Sequence, residues 1–123
     1  MESCHAIALR PLSLATLALA LLLSGCAAPT VYYWGEYEDI LFANYAAPGE
    51  MPPERQLELM EEDRQKALAQ DKPLPPGFEA QLGYLYYQLG KTDEARQAFE
   101  LEKARFPEST VLMDRLLASL VVK

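Results

Sequence analysis

A twelve-residue apolar run near the amino terminus constrains this chain most. It extends from Leu12 to Leu23, and only Ser13 and Thr16 interrupt it. Twelve helical residues span about 18 Å, well short of the roughly 30 Å hydrocarbon core of a bilayer. A short apolar run that follows a basic residue, here Arg10, and is closed by small residues is typical of a secretory signal rather than of a permanent transmembrane helix. The sequence therefore predicts that the folded domain is built from the residues after this run.

The residues that close the run resemble the lipobox of bacterial lipoproteins. Leu23, Ser24 and Gly25 would be recognised by the signal peptidase, and the thiol of Cys26 would carry the lipid. The resemblance implies a lipoprotein signal peptide over residues 1–25, a lipidated tether over 26–31, and no cofactor beyond the covalent lipid on Cys26. Ala27 after the cysteine implies sorting to the outer membrane, with the domain on its periplasmic face. An ordinary signal peptide that happens to end in cysteine is the alternative.

Cleavage before Cys26 would leave a protein without histidine and with a single cysteine. It would remove Cys4 and His5, the only other cysteine and the only histidine. A disulfide within the chain, a histidine and cysteine metal site, and Ser-His-Asp or Cys-His catalysis would then be impossible. The charge of 11 − 18 = −7, without a Lys/Arg cluster, argues against nucleic-acid binding. We therefore expect no enzyme activity and no metal site.

Apolar residues recur at helical spacing along the rest of the chain, and no stretch alternates as a β-strand does. Proline and glycine divide this part into segments. The fold class predicted is all-α. The expected helices cover residues 32–47, 53–70, 78–89, 94–106 and 109–120.

Residues 76–109 resemble one tetratricopeptide repeat. The residues that carry the resemblance are Leu82, Gly83, Tyr86, Gly90, Ala95, Phe99 and Pro107. Gly83 and Ala95 suit a close helix crossing, whereas Tyr86 and Phe99 would fill the wedge beside it. Three repeats of about 34 residues exceed the 123 − 25 = 98 residues that cleavage would leave. The resemblance therefore implies helical hairpins with one tetratricopeptide-like repeat and flanking helices, over residues 32–123. Glu79 and Glu102 depart from the repeat pattern.

Longer strings of the chain are similar to a narrower family. They are residues 75–84, 102–103, 106–109 and 32–35. The family comprises short Gram-negative lipoproteins with a domain of unknown function, often encoded beside a lipoprotein similar to the curli secretion channel. The resemblance implies an envelope protein partner, with that lipoprotein as the candidate, and it implies no catalytic residues.

Two segments are candidates for a partner surface. The first contains Tyr33, Trp34 and Tyr37, because tyrosine and tryptophan are common interface anchors, although they also fill cores. The second is the last helix, with Met113, Leu117 and Leu120, which is apolar over more than one stripe. This helix is either covered by the upstream aromatic helix or open to a partner or a second copy.

These observations lead to one functional hypothesis and two alternatives. The hypothesis is a membrane-anchored periplasmic lipoprotein that acts as a non-catalytic interaction scaffold in the assembly or stabilisation of a cell-envelope complex. One alternative is a regulatory lipoprotein that activates a peptidoglycan synthase. The other, less favoured, is a cell-wall hydrolase that uses paired carboxylates. A homo-oligomer is compatible with the first hypothesis.

Replacing Cys26 tests the anchor. Cys26→Ala should move the protein from the membrane to the soluble fraction, because its acyl chains would be lost, while leaving the helical circular dichroism intact. Cys4→Ala is the matched control and should stay on the membrane. A Cys26→Ala protein that remains tightly membrane-bound would contradict the prediction.

Overall fold

The computed structural model describes residues 29–121, and this part of the chain is all-helical, without a β-strand. The predicted all-α class is confirmed. The expected signal peptide and Cys26 lie outside the described residues. Within residues 29–121, no helix has the length and apolar character to cross a membrane.

Five α-helices follow one another within residues 29–121. They are α1 (Tyr37–Ala46), α2 (Pro53–Ala69), α3 (Phe78–Gln88), α4 (Thr92–Arg105) and α5 (Thr110–Ser119), with a short 3₁₀ turn at Pro107–Ser109 before α5. The predicted helices match these except at their ends. Differences of one or two residues are ordinary fraying.

The start of α1 differs most from the prediction. The helix begins at Tyr37 instead of residue 32, because Gly35 has a φ of +47° and leaves the helical region. A Cβ at Gly35 would also overlap the carboxylate of Asp63. Residues 32–36 therefore form a turn that approaches α2 closely, and the aromatic residues there are not on the α1 helix.

Gly90 ends α3 and turns the chain into α4. With a φ of +76°, it lets Lys91 donate its N–H to the Tyr86 carbonyl at 2.9 Å while Gly90 donates to the Tyr87 carbonyl at 3.1 Å. This pair of bonds satisfies carbonyls that the end of a helix otherwise leaves free. The short connection makes α3 and α4 a helical hairpin.

The hairpin contributes most of the core. Phe78, Leu82 and Leu85 on α3 are buried, as are Ala95 and Phe99 on α4. Helix α2 packs on α3 and α5 packs on α4. The last helix buries Met113 and leaves Val111 and Leu112 exposed, so the structure gives it both a covered and an open side.

The crossing of α3 and α4 tolerates no side chain at Gly83. A Cβ there would clash with the Phe99 ring. Alanine favours a helix interior by about 1 kcal/mol over glycine, but overpacking a core costs about 1 to 3 kcal/mol. Gly83→Ala should therefore lower the free energy of unfolding measured in urea.

A double-mutant cycle with Phe99→Leu isolates this contact. Phe99→Leu should cost less in the Gly83→Ala background than in the wild type, because the smaller side chain relieves the clash. Strictly additive effects, or a more stable Gly83→Ala protein, would contradict the prediction.

Candidate functional site

Most residues predicted to form a partner surface lie in or against the core. Tyr37, Met113 and Leu120 are buried, and Tyr33, Trp34 and Leu117 are half-buried against the core. The Trp34 ring stacks on Tyr37 at 6.4 Å between centroids, and Tyr37 packs on Phe78 at 5.3 Å. Together, these two ring contacts join the turn before α1 to the start of α3. These side chains do not form an exposed face, and the core role that the sequence also allowed accounts for their placement.

A groove of about 700 Å³ lies between the amino-terminal segment, α2 and the end of α4. We call it the cationic groove. Its apolar lining consists of Val31, Tyr32, Ala67, Leu68, Pro73, Leu74 and Phe106, and its polar lining of Arg64, Gln65, Lys72 and Arg105. Three cations therefore share one surface of a protein whose net charge is −7.

Backbone hydrogen bonds fix the two ends of the groove. The N–H of Tyr33 donates to the Pro73 carbonyl at 2.9 Å, which holds the amino-terminal segment against the residues after α2. At the end of α2, Asp71 adopts a left-handed φ of 51°, and Lys72 donates its N–H to the Ala67 carbonyl at 3.0 Å. This capping arrangement places Lys72 beside the last turn of α2.

Glu79 lies behind the groove and holds two of its cations. Arg64 Nη2 is 3.0 Å from Glu79 Oε2, and Arg105 Nη1 donates to Glu79 Oε1 at 3.3 Å. The Glu79 side chain is only 1% exposed, and burial raises its pKa although both arginines oppose the shift. One carboxylate therefore contacts two guanidinium groups, and none of the residues that line the groove is acidic.

Two further buried carboxylates hold loops in place. Asp63 Oδ2 accepts the backbone N–H of Glu36 at 2.6 Å, and Glu102 Oε1 accepts that of Gly77 at 2.7 Å. Each bond ties the residue before a helix to a neighbouring helix. Asp63 is buried, although acidic residues directly precede it in the sequence.

The exposed part of the groove suits binding. The Leu68 side chain is 83% exposed, and Lys72 forms no ion pair with any described residue. Arginine and lysine bind carboxylates through charge-assisted hydrogen bonds, and apolar side chains beside them add contact area. The groove can therefore hold a ligand that combines carboxylates with apolar groups. Among residues 29–121, no three acidic, histidine or cysteine side chains come together as metal ligands.

The sequence pattern does not reveal this groove. Arg64, Lys72 and Arg105 are scattered among acidic residues, so they form no cluster along the chain. The one local signal was the spacing of Arg64 and Leu68, which places them on one face of α2 at an interval of four, whereas Lys72 follows the end of the helix. The contribution of Arg105 depends on how α4 packs.

Residues 31–116 match a protein family described as a domain of unknown function, DUF4810. This agrees with the resemblance to a small family that contains such a domain. No curated protein and no solved structure matches the chain significantly.

The buried charge of Glu79 should make stability depend on pH. Burial raises the pKa of Glu79. The folded protein therefore keeps a proton that the unfolded chain releases at the ordinary glutamate pKa of about 4.3. The free energy of unfolding of the wild type relative to Glu79→Gln should therefore fall as pH rises above that value, and level off above the folded pKa. Urea unfolding of both proteins at a series of pH values measures the difference.

Glu62→Gln is the matched control with the opposite sign. The hydrogen bond and charge of Lys66 lower the pKa of Glu62, so its contribution to stability is present above the ordinary glutamate pKa and is lost as pH falls through the lowered value. A Glu79 difference that stays constant or rises with pH would contradict the assignment.

Proposed function

The chain belongs to the DUF4810 family, and we propose that it is a non-catalytic lipoprotein, lipidated at Cys26, that binds a protein segment in an assembling cell-envelope complex. Its proposed place is the periplasmic face of the outer membrane. The signal run and the lipobox-like residues support the anchor. The cationic groove supports the binding role, and it is the observation on which this proposal chiefly rests.

The groove lies close to the proposed anchor along the chain. Val31 lines it and follows Cys26 by 31 − 26 = 5 residues. Five extended residues span at most about 18 Å. A lipid on Cys26 would therefore keep the groove near the membrane surface, where tethering raises the local concentration of a membrane-bound partner.

The buried carboxylates favour binding over hydrolysis. A hydrolase would need paired carboxylates that its substrate can reach, whereas Glu79 and Glu102 are both almost fully buried. Glu79 is paired with two arginines, and Glu102 holds Gly77. A polysaccharide would have no access to either side chain in this arrangement, so we favour the scaffold over the hydrolase.

We also propose that α3 and α4 form a single tetratricopeptide-like repeat. Gly83 lies against Phe99, and Gly90 forms the turn between the helices. The repeat would then serve to hold α2 and the end of α4 at the separation that forms the groove.

The chemistry of the groove defines the partner segment, which should carry carboxylates beside apolar side chains. The resemblance to envelope lipoproteins makes a lipoprotein similar to the curli secretion channel our candidate. Activation of a peptidoglycan synthase is the alternative, and it would use the same surface on a different partner.

Capture from detergent-solubilised envelope tests this proposal with the lipid anchor intact. The variant Leu68→Asp with Lys72→Glu changes two exposed groove residues, so it should fold normally. A loss of about 1.4 kcal/mol or more of binding free energy would reduce the captured partner to about one tenth or less of the amount that the wild type captures. Leu112→Ser, an exposed apolar change on α5, should retain the partner. If the wild type, the groove variant and Leu112→Ser all captured the same proteins, the role of the groove would be contradicted. Capture of a peptidoglycan synthase that depends on the groove would establish the alternative.

A further inference from the structure

Helix α1 leaves large apolar side chains exposed on its surface. It buries only Tyr37 and Ile40. Leu41, Phe42 and Tyr45 are exposed, Phe42 at 69% and Tyr45 at 87%. Large aromatic side chains exposed side by side are typical of interaction surfaces.

The same face is acidic. Glu38 and Asp39 lie in the first turn of α1, and the helix contains no basic residue. Within residues 29–121, neither carboxylate forms an ion pair. Glu38, Leu41, Phe42 and Tyr45 are spaced at i, i+3, i+4 and i+7, so they follow one stripe of the helix. We call Glu38, Asp39, Leu41, Phe42 and Tyr45 the α1 face.

We propose that the α1 face of one copy docks in the cationic groove of a second copy. The aromatic rings would pack on the exposed side of Leu68 and Val31, and the carboxylates would approach Lys72 and the outer side of Arg105. Leu41, Phe42 and Tyr45 would be the apolar anchors of a helix lying in a groove, and Glu38 would lie at the charged end of the same stripe. This deepens the proposed function, on which it rests only for the premise that the groove binds protein.

Charge distinguishes α1 from the other exposed apolar surface. Helix α5 exposes Val111 and Leu112, but its single carboxylate, Asp114, is paired with Lys103 at 2.6 Å. Arg115 adds a positive charge on α5. A cationic groove therefore attracts the α1 face more strongly than it attracts α5.

The contact would be heterologous, since none of the α1-face residues lines the groove. Each copy would present its α1 face to one neighbour and its groove to another. Such head-to-tail contacts close into rings or extend as open chains. In an open chain, the terminal copy keeps one vacant groove, which remains available to an envelope partner.

Co-capture of two differently tagged full-length copies, solubilised in detergent, tests the contact. The groove variant combines Leu68→Asp and Lys72→Glu, and the face variant combines Glu38→Lys and Phe42→Ser. All four positions are exposed, and helical circular dichroism verifies the fold. Wild-type copies should capture each other, whereas each variant should capture its own kind at least about tenfold less.

Mixing the two variants gives the decisive result. A face variant keeps an intact groove and a groove variant keeps an intact α1 face, so the mixed pair retains one complete contact and should be captured. Sedimentation should show that this pair stops at the dimer, while the wild type forms larger species. The α5 control, Leu112→Ser, should behave as the wild type.

Several results would overturn the inference. They are wild-type copies that do not capture each other, either variant capturing its own kind as the wild type does, or a mixed pair that is not captured. If self-capture fails while the groove still binds an envelope protein, the self-docking is wrong and the proposed function stands. If the groove variant loses neither interaction, both are wrong.

Discussion

Carboxylates buried between the helices hold this small domain together. Asp63 fixes the turn before α1 through the Glu36 N–H, and Glu102 fixes the start of α3 through the Gly77 N–H. Each bond satisfies a backbone donor near a helix start, where donors have no partner within the helix. A carboxylate acceptor strengthens such a bond, and a buried one must find donors because its desolvation is costly. The acidic composition therefore contributes to the interior as well as to the surface.

The cationic groove is a consequence of the same arrangement. Glu79 draws Arg64 from α2 and Arg105 from α4 to one place, although the two arginines are far apart in sequence. The turn that Asp63 holds brings the amino-terminal segment alongside them, and the end of α2 adds Lys72. Local positive charge on an acidic protein thus arises from packing. It gives the domain two surfaces of opposite character, the groove and the α1 face, and such complementarity favours ordered association over random contact.

The sequence predicted the helices well because proline and glycine mark their ends and apolar residues follow one face. The repeat resemblance placed Gly83 and Ala95 at a close helix crossing and Phe99 in the wedge beside it, and in the structure Gly83 lies against the Phe99 ring. The sequence pattern overextended α1, since the left-handed turn at Gly35 depends on contact with Asp63 from another helix. It offered Tyr37, Met113 and Leu120 as a surface because an apolar stripe alone does not reveal which side is covered. The groove could not be predicted because its cations come together only in the folded chain. Two of them meet at Glu79, which the sequence singled out only as a departure from the repeat pattern.

The hydrogen bond between Tyr33 and Pro73 has a mechanical consequence. It is the first backbone hydrogen bond along the described chain that links the amino-terminal segment to a distant residue. A pull from upstream of Pro29 therefore reaches this bond before it reaches the Asp63 contact or α1. Rupture would peel Val31 and Tyr32 away from the connection between α2 and α3, and these two residues form one wall of the groove. In the proposed lipoprotein, tension from the anchored end would therefore disturb this wall of the groove before it reached the α3–α4 hairpin.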